Sequence, residues 1–522
     1  MKKLLVGLLS LVTSTGICQI TYKDVAPIFF SRCTSCHHEG GAGPFPFMNY
    51  SQTIDHSIEI YAALSNGIMP PWSPDTNYTR FLHERIITDS EKNSILTWVM
   101  DNTPAGDTTL APPPPSYSSS QLYGTPSMEL QIPTFVSNAV SSDSYVCFSL
   151  PTNLTQDRYL RAFEIIPGNA SIVHHVIVNV DTIGNTTNDL SGTCYTTPGD
   201  FGVGGFAPGA PPTVFPGEAP MKLGIAIKAG SRIVLQIHYP AGSVGMIDST
   251  KIRLYFYPVN ETGIRPVLVS TPLQNWTLAI PPDTIVEYSA IFPQLPFAAS
   301  FLATFPHSHL LCKSIVNCAT AGIDTIPLIR INNWDFEWQG YYTYRFPVKI
   351  PIGYELYSSH VYDNTVLNPN NPFNPPQTVI SGFSTTDEML FDSFQWTFYL
   401  PGDEFVDVGA ILDGDTLLSA LPNHPSEEFP FWTSSVFPNP ANDNTTIRIN
   451  TNKKGTYFVN IYDLRGNQVS MPLAAKEIYG SYFVNWDGRS INGDRVSPGI
   501  YFYKVESGNN KTVGKLVWIP ED

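Results

Sequence analysis

The sequence predicts a multidomain, mainly β chain: a small α-helical unit first, two β-sandwiches in the middle, and a compact C-terminal β-sandwich. Three observations point there. A length of 522 residues exceeds what one core organises and suggests roughly three or four domains. Charged residues make up only 14%, whereas Pro (46), Phe (30) and Tyr (26) are plentiful, as in exported all-β domains. Short β-branched and aromatic runs, broken by Gly, Pro and Asn, recur from about residue 126 onward. The net charge of −16 argues against nucleic acid and anionic membrane surfaces as partners. Beyond the N-terminus no stretch is apolar for long enough to span a bilayer.

The elements follow in order. Residues 1–18 carry Lys2 and Lys3, a short apolar core and small residues, the pattern of a secretory signal peptide cleaved after Cys18. Ile17 is too large for the usual lipoprotein signal at Cys18. Export places the rest in an oxidising space where disulfides form. Residues 20–105 have helical spacing in "DVAPIFFSRCTSCHH" and "TDSEKNSILTWVM". In the latter, Thr88 and Glu91 form a capping box ahead of the apolar stripe Ile95, Trp98 and Val99. The Pro- and Ser-rich stretch 106–125 reads as a linker. Residues 126–262 and 263–403 read as two β-sandwiches divided near Gly263, and 404–432 as an acidic, Pro-containing connector. Residues 433–522 alternate well and form the C-terminal β module.

Several residues carry chemistry. "CTSCHH" holds Cys33, Cys36 and His37 in C-x-x-C-H order, which suits covalent haem c with His37 as axial ligand. A redox or structural disulfide, or half of a zinc site, uses the same spacing. Met69 in "NGIMPPW" is the candidate sixth ligand, with Met48, Met100 and His38 as competitors. "SIVHHVIVNV" sets His174 beside His175. Neighbours in a strand face opposite ways, so a shared metal requires the strand to twist or end there; otherwise one imidazole is buried and one exposed. With His238 of "VLQIHYPAG" they make a three-nitrogen set suited to copper or zinc. His307 and His309 of "TFPHSHLL" stand at i, i+2, on one strand face, as chelating ligands do and as ordinary solvent-facing residues also do. Met389, in "STTDEMLFDSFQWTFY", would by itself be core packing.

Two resemblances sharpen these alternatives. "YKDVAPIFFSRCTSCHHEGGAGPFPF" through "MPPW" and "ERIITDSEKNSILTWV" resembles a bacterial c-type cytochrome domain, over nearly all of residues 20–105. The order HH, Q-x-H-Y, H-x-H, S-T-x-D-E-M over residues 126–403 resembles the copper type II, ascorbate-dependent monooxygenases, the family of peptidylglycine α-hydroxylating monooxygenase and dopamine β-hydroxylase. "DSYVCFSLP" at 143–151 resembles the entry to their first domain. This resemblance implies two jelly-roll-like domains with two copper ions. His174, His175 and His238 would hold the electron-transfer copper, and His307, His309 and Met389 the copper that meets O2. It further implies insertion of one oxygen atom into a C–H bond of an organic substrate, and a Cys147–Cys194 disulfide. Cys312 and Cys318 remain by elimination as a possible short-loop pair. The match fails where the peptide-amidating enzyme has an Arg two residues before H-x-H and an Asn two after the Met: Phe305 and Phe391 stand there. Their apolar wall disfavours a peptide and points to a more hydrophobic substrate. The fused cytochrome suggests haem c as reductant in place of soluble ascorbate. The rival reading is a non-enzymatic surface electron carrier or copper-binding protein.

"FPNPANDNTTIRI", "YDLRGNQV" and "SPGIYFYKV" resemble the type A sorting domain of the type IX secretion system of Bacteroidota. That implies the secretion machinery as a partner, a secreted or cell-surface location, and no catalytic residues in the module.

Overall fold

The computed structural model describes residues 19–117, 121–415, 417–418, 432–437, 439–508 and 510–520. The signal peptide expected at 1–18 and the connector stretch 419–431 lie outside the described residues. Strands account for 41% of the chain and helices for 10%, which makes the molecule mainly β. Two compact units form. One comprises residues up to Pro71 together with Arg85–Ser116; the other comprises Trp72–Glu84 and the chain from Tyr117 onward.

The first unit is helical. It contains α1 (Tyr22–Arg32), α2 (Tyr50–Ile54), α3 (Ser57–Ser65) and α4 (Asp89–Met100). The Thr88/Glu91 capping box is formed, and Thr21 with Asp24 makes a second one on α1. Val25, Ala26 and Phe29 of α1 pack with Ile95 and Trp98 of α4 in one buried cluster. Arg32 Nε reaches Glu91 Oε1 at 3.1 Å and ties the two helices at their polar edge.

Residues 72–84, expected within the helical unit, belong to the second. Pro74 bridges Ile331, the Leu82 N–H donates to the Thr343 carbonyl at 2.7 Å, and Phe81 stacks on Tyr344 at 5.1 Å. Phe81 is buried there. Full burial of such a side chain is worth roughly 1.5–3 kcal/mol, enough to hold an otherwise irregular segment.

The second unit holds two pairs of sheets and the C-terminal sheet. In the first pair, a six-stranded sheet runs Met128–Gln131, Lys251–Phe256, Arg158–Ile166, Leu223–Ile227 and Arg265–Pro266, with Thr213–Val214 beside Arg158–Ile166. The five-stranded partner runs Asp189–Gly192, Ser144–Pro151, Arg232–Tyr239, His175–Asp181, Phe201–Phe206. Alternation decides which side chains meet between them. Val176, Val178 and Val180 enter a core shared with Leu160, Phe163 and Leu254. In the second pair, Leu268–Gln274, Phe391–Phe398, Ala299–Phe305 and Tyr342–Ile350 form one sheet; Ile285–Phe292, Glu355–Asp363, Cys312–Ala321 and Asp324–Ile331 form the other. Phe301, Phe394, Ile315 and Leu356 lie in their common core.

The start of the expected connector is not loose. α5 (Val408–Asp413) sends Val408 and Leu412 into the first core, and Asp407 pairs with Arg345 at 2.9 Å. The C-terminal sheet comprises Trp432–Phe437, Thr445–Tyr462, Gln468–Trp486, Gly499–Ser507 and Asn510–Trp518, around Ile447, Val459, Val505 and Trp518.

The Cys147–Cys194 disulfide is present. A Cys312–Cys318 pair is not: both thiols are free and buried. The segment between them is no loop. Both cysteines lie on the Cys312–Ala321 strand, where a rise of ~3.3 Å per residue holds them ~20 Å apart, far beyond disulfide reach.

Candidate metal centres

The histidine pair is reconciled by where its strand begins. His175 is the first residue of His175–Asp181, and His174 sits just before it in irregular backbone, its N–H donating to the His238 carbonyl at 3.0 Å. His175 faces His238 directly across the ladder. His175 therefore points away from the valine core, and His174 is free of the strand's alternation. The three rings converge: Nδ1 of His174 lies 3.3 Å from Nδ1 of His175 and 3.1 Å from that of His238, and the last two are 3.2 Å apart. Tetrahedral-like angles with metal–nitrogen bonds of ~2.0 Å set nitrogens ~3.3 Å apart, so the triangle fits a copper- or zinc-sized ion.

Proton positions agree. The Glu337 carboxylate accepts from His174 Nε2 at 2.8 Å, and Asp143 Oδ2 lies 3.1 Å from His238 Nε2. A carboxylate at Nε2 keeps the proton there and leaves the Nδ1 lone pair inward. Burial, then the neighbouring imidazoles His238 and His174, holds the His175 pKa well below the usual histidine value. Burial also lowers that of His238, against the pull of Asp143. Neutrality is the metal-binding state of an imidazole. Tyr145 stacks on His238 at 4.4 Å and fixes its plane.

His307 and His309 flank Ser308 just past the Ala299–Phe305 strand, their rings 5.1 Å apart and nearly perpendicular. Here the outer partners sit on Nδ1. Gln339 gives its Nε2–H to the Phe336 carbonyl, so its Oε1 faces His307 and accepts from Nδ1 at 2.5 Å. His309 Nδ1 donates to the Asp387 carbonyl at 3.1 Å. Both rings thus keep their Nε2 lone pairs for a ligand. Burial lowers both pKa values, that of His309 to about 3.

Glu388 holds the backbone of Met389 beside that of His309. One carboxylate oxygen of Glu388 accepts the N–H of His309 at 3.0 Å and of Met389 at 3.1 Å, while the other accepts from Leu311. Ser308 Oγ and Tyr362 both donate to the Met389 carbonyl. Behind them the buried His360 and Asp392 pair at 3.1 Å, and Asp392 accepts the His307 N–H. Phe305 stacks on His307 at 6.1 Å and lies tilted against Tyr341 at 4.9 Å; Phe391 meets Trp276 at 6.3 Å. The two positions that depart from the peptide-amidating pattern are therefore held in aromatic surroundings.

In the helical unit, Cys33 and Cys36 are free thiols following α1. His37 gives Nδ1–H to the Phe45 carbonyl at 2.9 Å and stacks on Phe47 at 4.5 Å, which leaves Nε2 unprotonated. The loop fits closely: a Cβ on Gly43 would lie 2.6 Å from His37 Nδ1. These residues fit covalent haem. Met69 follows α3, its N–H directed to the Ala63 carbonyl; the competitor His38 is turned back to the Thr34 carbonyl.

Sequence reasoning missed Glu337, Gln339, Asp143, Glu388 and the His360–Asp392 pair. The "DEM" triplet and the "WDFEWQ" run (334–339) hold acids and amides among aromatics, but only folding shows which ring each one meets.

Comparison with known proteins identifies residues 435–519 as a secretion system C-terminal sorting domain. The chain is thereby an exported protein, at the cell surface or secreted, of the type handled by the type IX machinery of Bacteroidota. No curated protein matches the chain. Among solved structures, dimeric latent PorU from Porphyromonas gingivalis is 13% identical over 73% of this chain and 34% of that one, with a TM-score of 0.17. The infectious bursal disease virus VP2 subviral particle is 9% identical over 56% of this chain and 75% of that one, at 0.16. Lactobacillus rhamnosus β-glucuronidase is 10% identical over 50% and 46%, at 0.13.

Proposed function

We propose that the chain is an exported copper-dependent monooxygenase that hydroxylates a C–H bond of a small, hydrophobic organic substrate. In this reading the helical unit is a c-type cytochrome domain and the two sandwiches are the jelly-roll-like domains of a type II copper monooxygenase. The observation that carries it is the triangle of Nδ1 atoms from His174, His175 and His238, with sides of 3.1–3.3 Å.

His174, His175 and His238 would hold one copper, and His307, His309 and Met389 the other. An all-imidazole site supports exchange between the two copper oxidation states, and a thioether favours the reduced ion that meets O2. The chain's own residues do the rest. Glu337, Gln339 and the Asp387 carbonyl would hold protons on the outer ring nitrogens of His174, His307 and His309, and Asp143 lies 3.1 Å from that of His238. Glu388 sets the backbone of His309 and Met389 together. Phe305 and Phe391 remove polar anchors and favour an apolar substrate. Cys33, Cys36 and His37 would hold haem c, with Met69 as its second axial ligand, to supply electrons.

Oxygen uptake by copper-loaded protein with a reductant tests this. Met389→Ala is expected to cut uptake by about 10²-fold or more, as loss of a group at the reacting centre does, with copper retained at the three-histidine site. Uptake equal to that of the unsubstituted chain would remove the oxygenase assignment. Haem and copper binding without any uptake would favour the non-enzymatic electron carrier.

A further inference from the structure

We infer that the turn Trp334–Gln339 is a strap that orients both imidazole clusters at once, with Glu337 completing the three-histidine site from the neighbouring sandwich. The inference rests on the copper reading above. The strap is fixed at both ends. Trp334 is buried, its N–H donating to the Lys313 carbonyl at 2.8 Å and its Nε1 to the His309 carbonyl at 3.1 Å. At the other end Gln339 bonds His307 Nδ1 and returns its amide to the Phe336 carbonyl at 2.8 Å. In between, Asp335 caps the turn by accepting the Glu337 N–H at 3.0 Å, and the Trp338 N–H donates to the Asp335 carbonyl at 3.1 Å. Phe336 stands edge-on to the His309 ring at 5.8 Å.

Glu337 is thus presented at the tip of a closed turn, 2.8 Å from His174 Nε2. His174 is the ligand candidate that most needs this support. It lies outside the strand, and no ladder pairing sets its ring, whereas His175 and His238 are register partners. This six-residue turn therefore touches His174, His307 and His309, the three site histidines outside the His175–His238 ladder pairing. Glu337 is a positioning residue, acting through His174.

The test loads the exported full-length chain with Cu(II) and measures affinity by chelator competition and the paramagnetic resonance spectrum of the bound ion. His175→Ala identifies the copper equivalent that belongs to the three-histidine cluster. Glu337→Ala is expected to weaken that equivalent by about 10–100-fold and shift its spectrum. Glu337→Gln, which keeps an acceptor for Nε2–H, is expected to recover most of the loss. Thermal unfolding of the metal-free variants checks that the fold is kept. If the unsubstituted chain binds copper and Glu337→Ala matches it within about twofold with an unchanged spectrum, the strap is overturned while the copper reading stands. If His175→Ala costs no copper, the copper reading itself fails, and the strap with it.

Discussion

Asp181 shows how much a single carboxylate organises. It ends the strand that begins at His175 and is buried, which by itself would raise its pKa; the N–H groups of Thr186, Gly184 and Ile183, at 2.7, 2.8 and 2.9 Å, outweigh this and bring it to about 2. A carboxyl depressed from its ordinary 3.8 stabilises the fold fully above that value, and the contribution is lost as pH falls through about 2. Asp181→Ala is expected to cost about 2 kcal/mol at neutral pH, from leaving a set of part-buried donors unpaired. The difference from the unsubstituted chain should shrink in acid. Denaturant unfolding at several pH values measures it, and a penalty independent of pH would contradict the assignment. Residue identity was legible at this scale and partnership was not. Cys33, Cys36, His37 and the five site histidines stand out in the sequence. Glu388 and Gln339 do not, because their roles depend on contacts across 77 and 32 residues.

Elements were legible where one local rule decides them. The Thr88/Glu91 box starts α4 as its spacing requires. The valines after His175 alternate inward as a half-buried strand should. Cys312 and Cys318 mark the opposite case: elimination alone left them as a short-loop pair, and cross-strand pairing on both sides extends the segment and separates them. The 72–84 segment was also misplaced, because its destination is set by aromatic packing on a distant sheet. The disulfide belongs to this scale. Cys147 faces Gln236 in the ladder, and Gln236 Nε2 donates to the Cys194 carbonyl at 2.6 Å, two residues from His238. Closing a loop of 47 residues' separation contributes about 4 kcal/mol in the chain-entropy model. A Cys147→Ser, Cys194→Ser chain should lose roughly that much in denaturant unfolding; a loss below about 1 kcal/mol would show that the bridge does little.

At the scale of the whole molecule, each part has its own chemistry. The C-terminal sheet carries the export address over residues 435–519 and shares no candidate ligand with the rest. In the proposed reading the first sandwich would contribute three imidazoles, the second two and a thioether, and the helical unit the C-x-x-C-H set. The order of these motifs was legible in the sequence. The spacing of the nitrogens was not, because it depends on where one strand begins. The most direct test is copper-edge anomalous diffraction from crystals of the copper-loaded chain. The expected result is a peak bounded by Nδ1 of His174, His175 and His238, each at ~2.0 Å. Copper bound elsewhere, with those three nitrogens uncoordinated, would contradict the account.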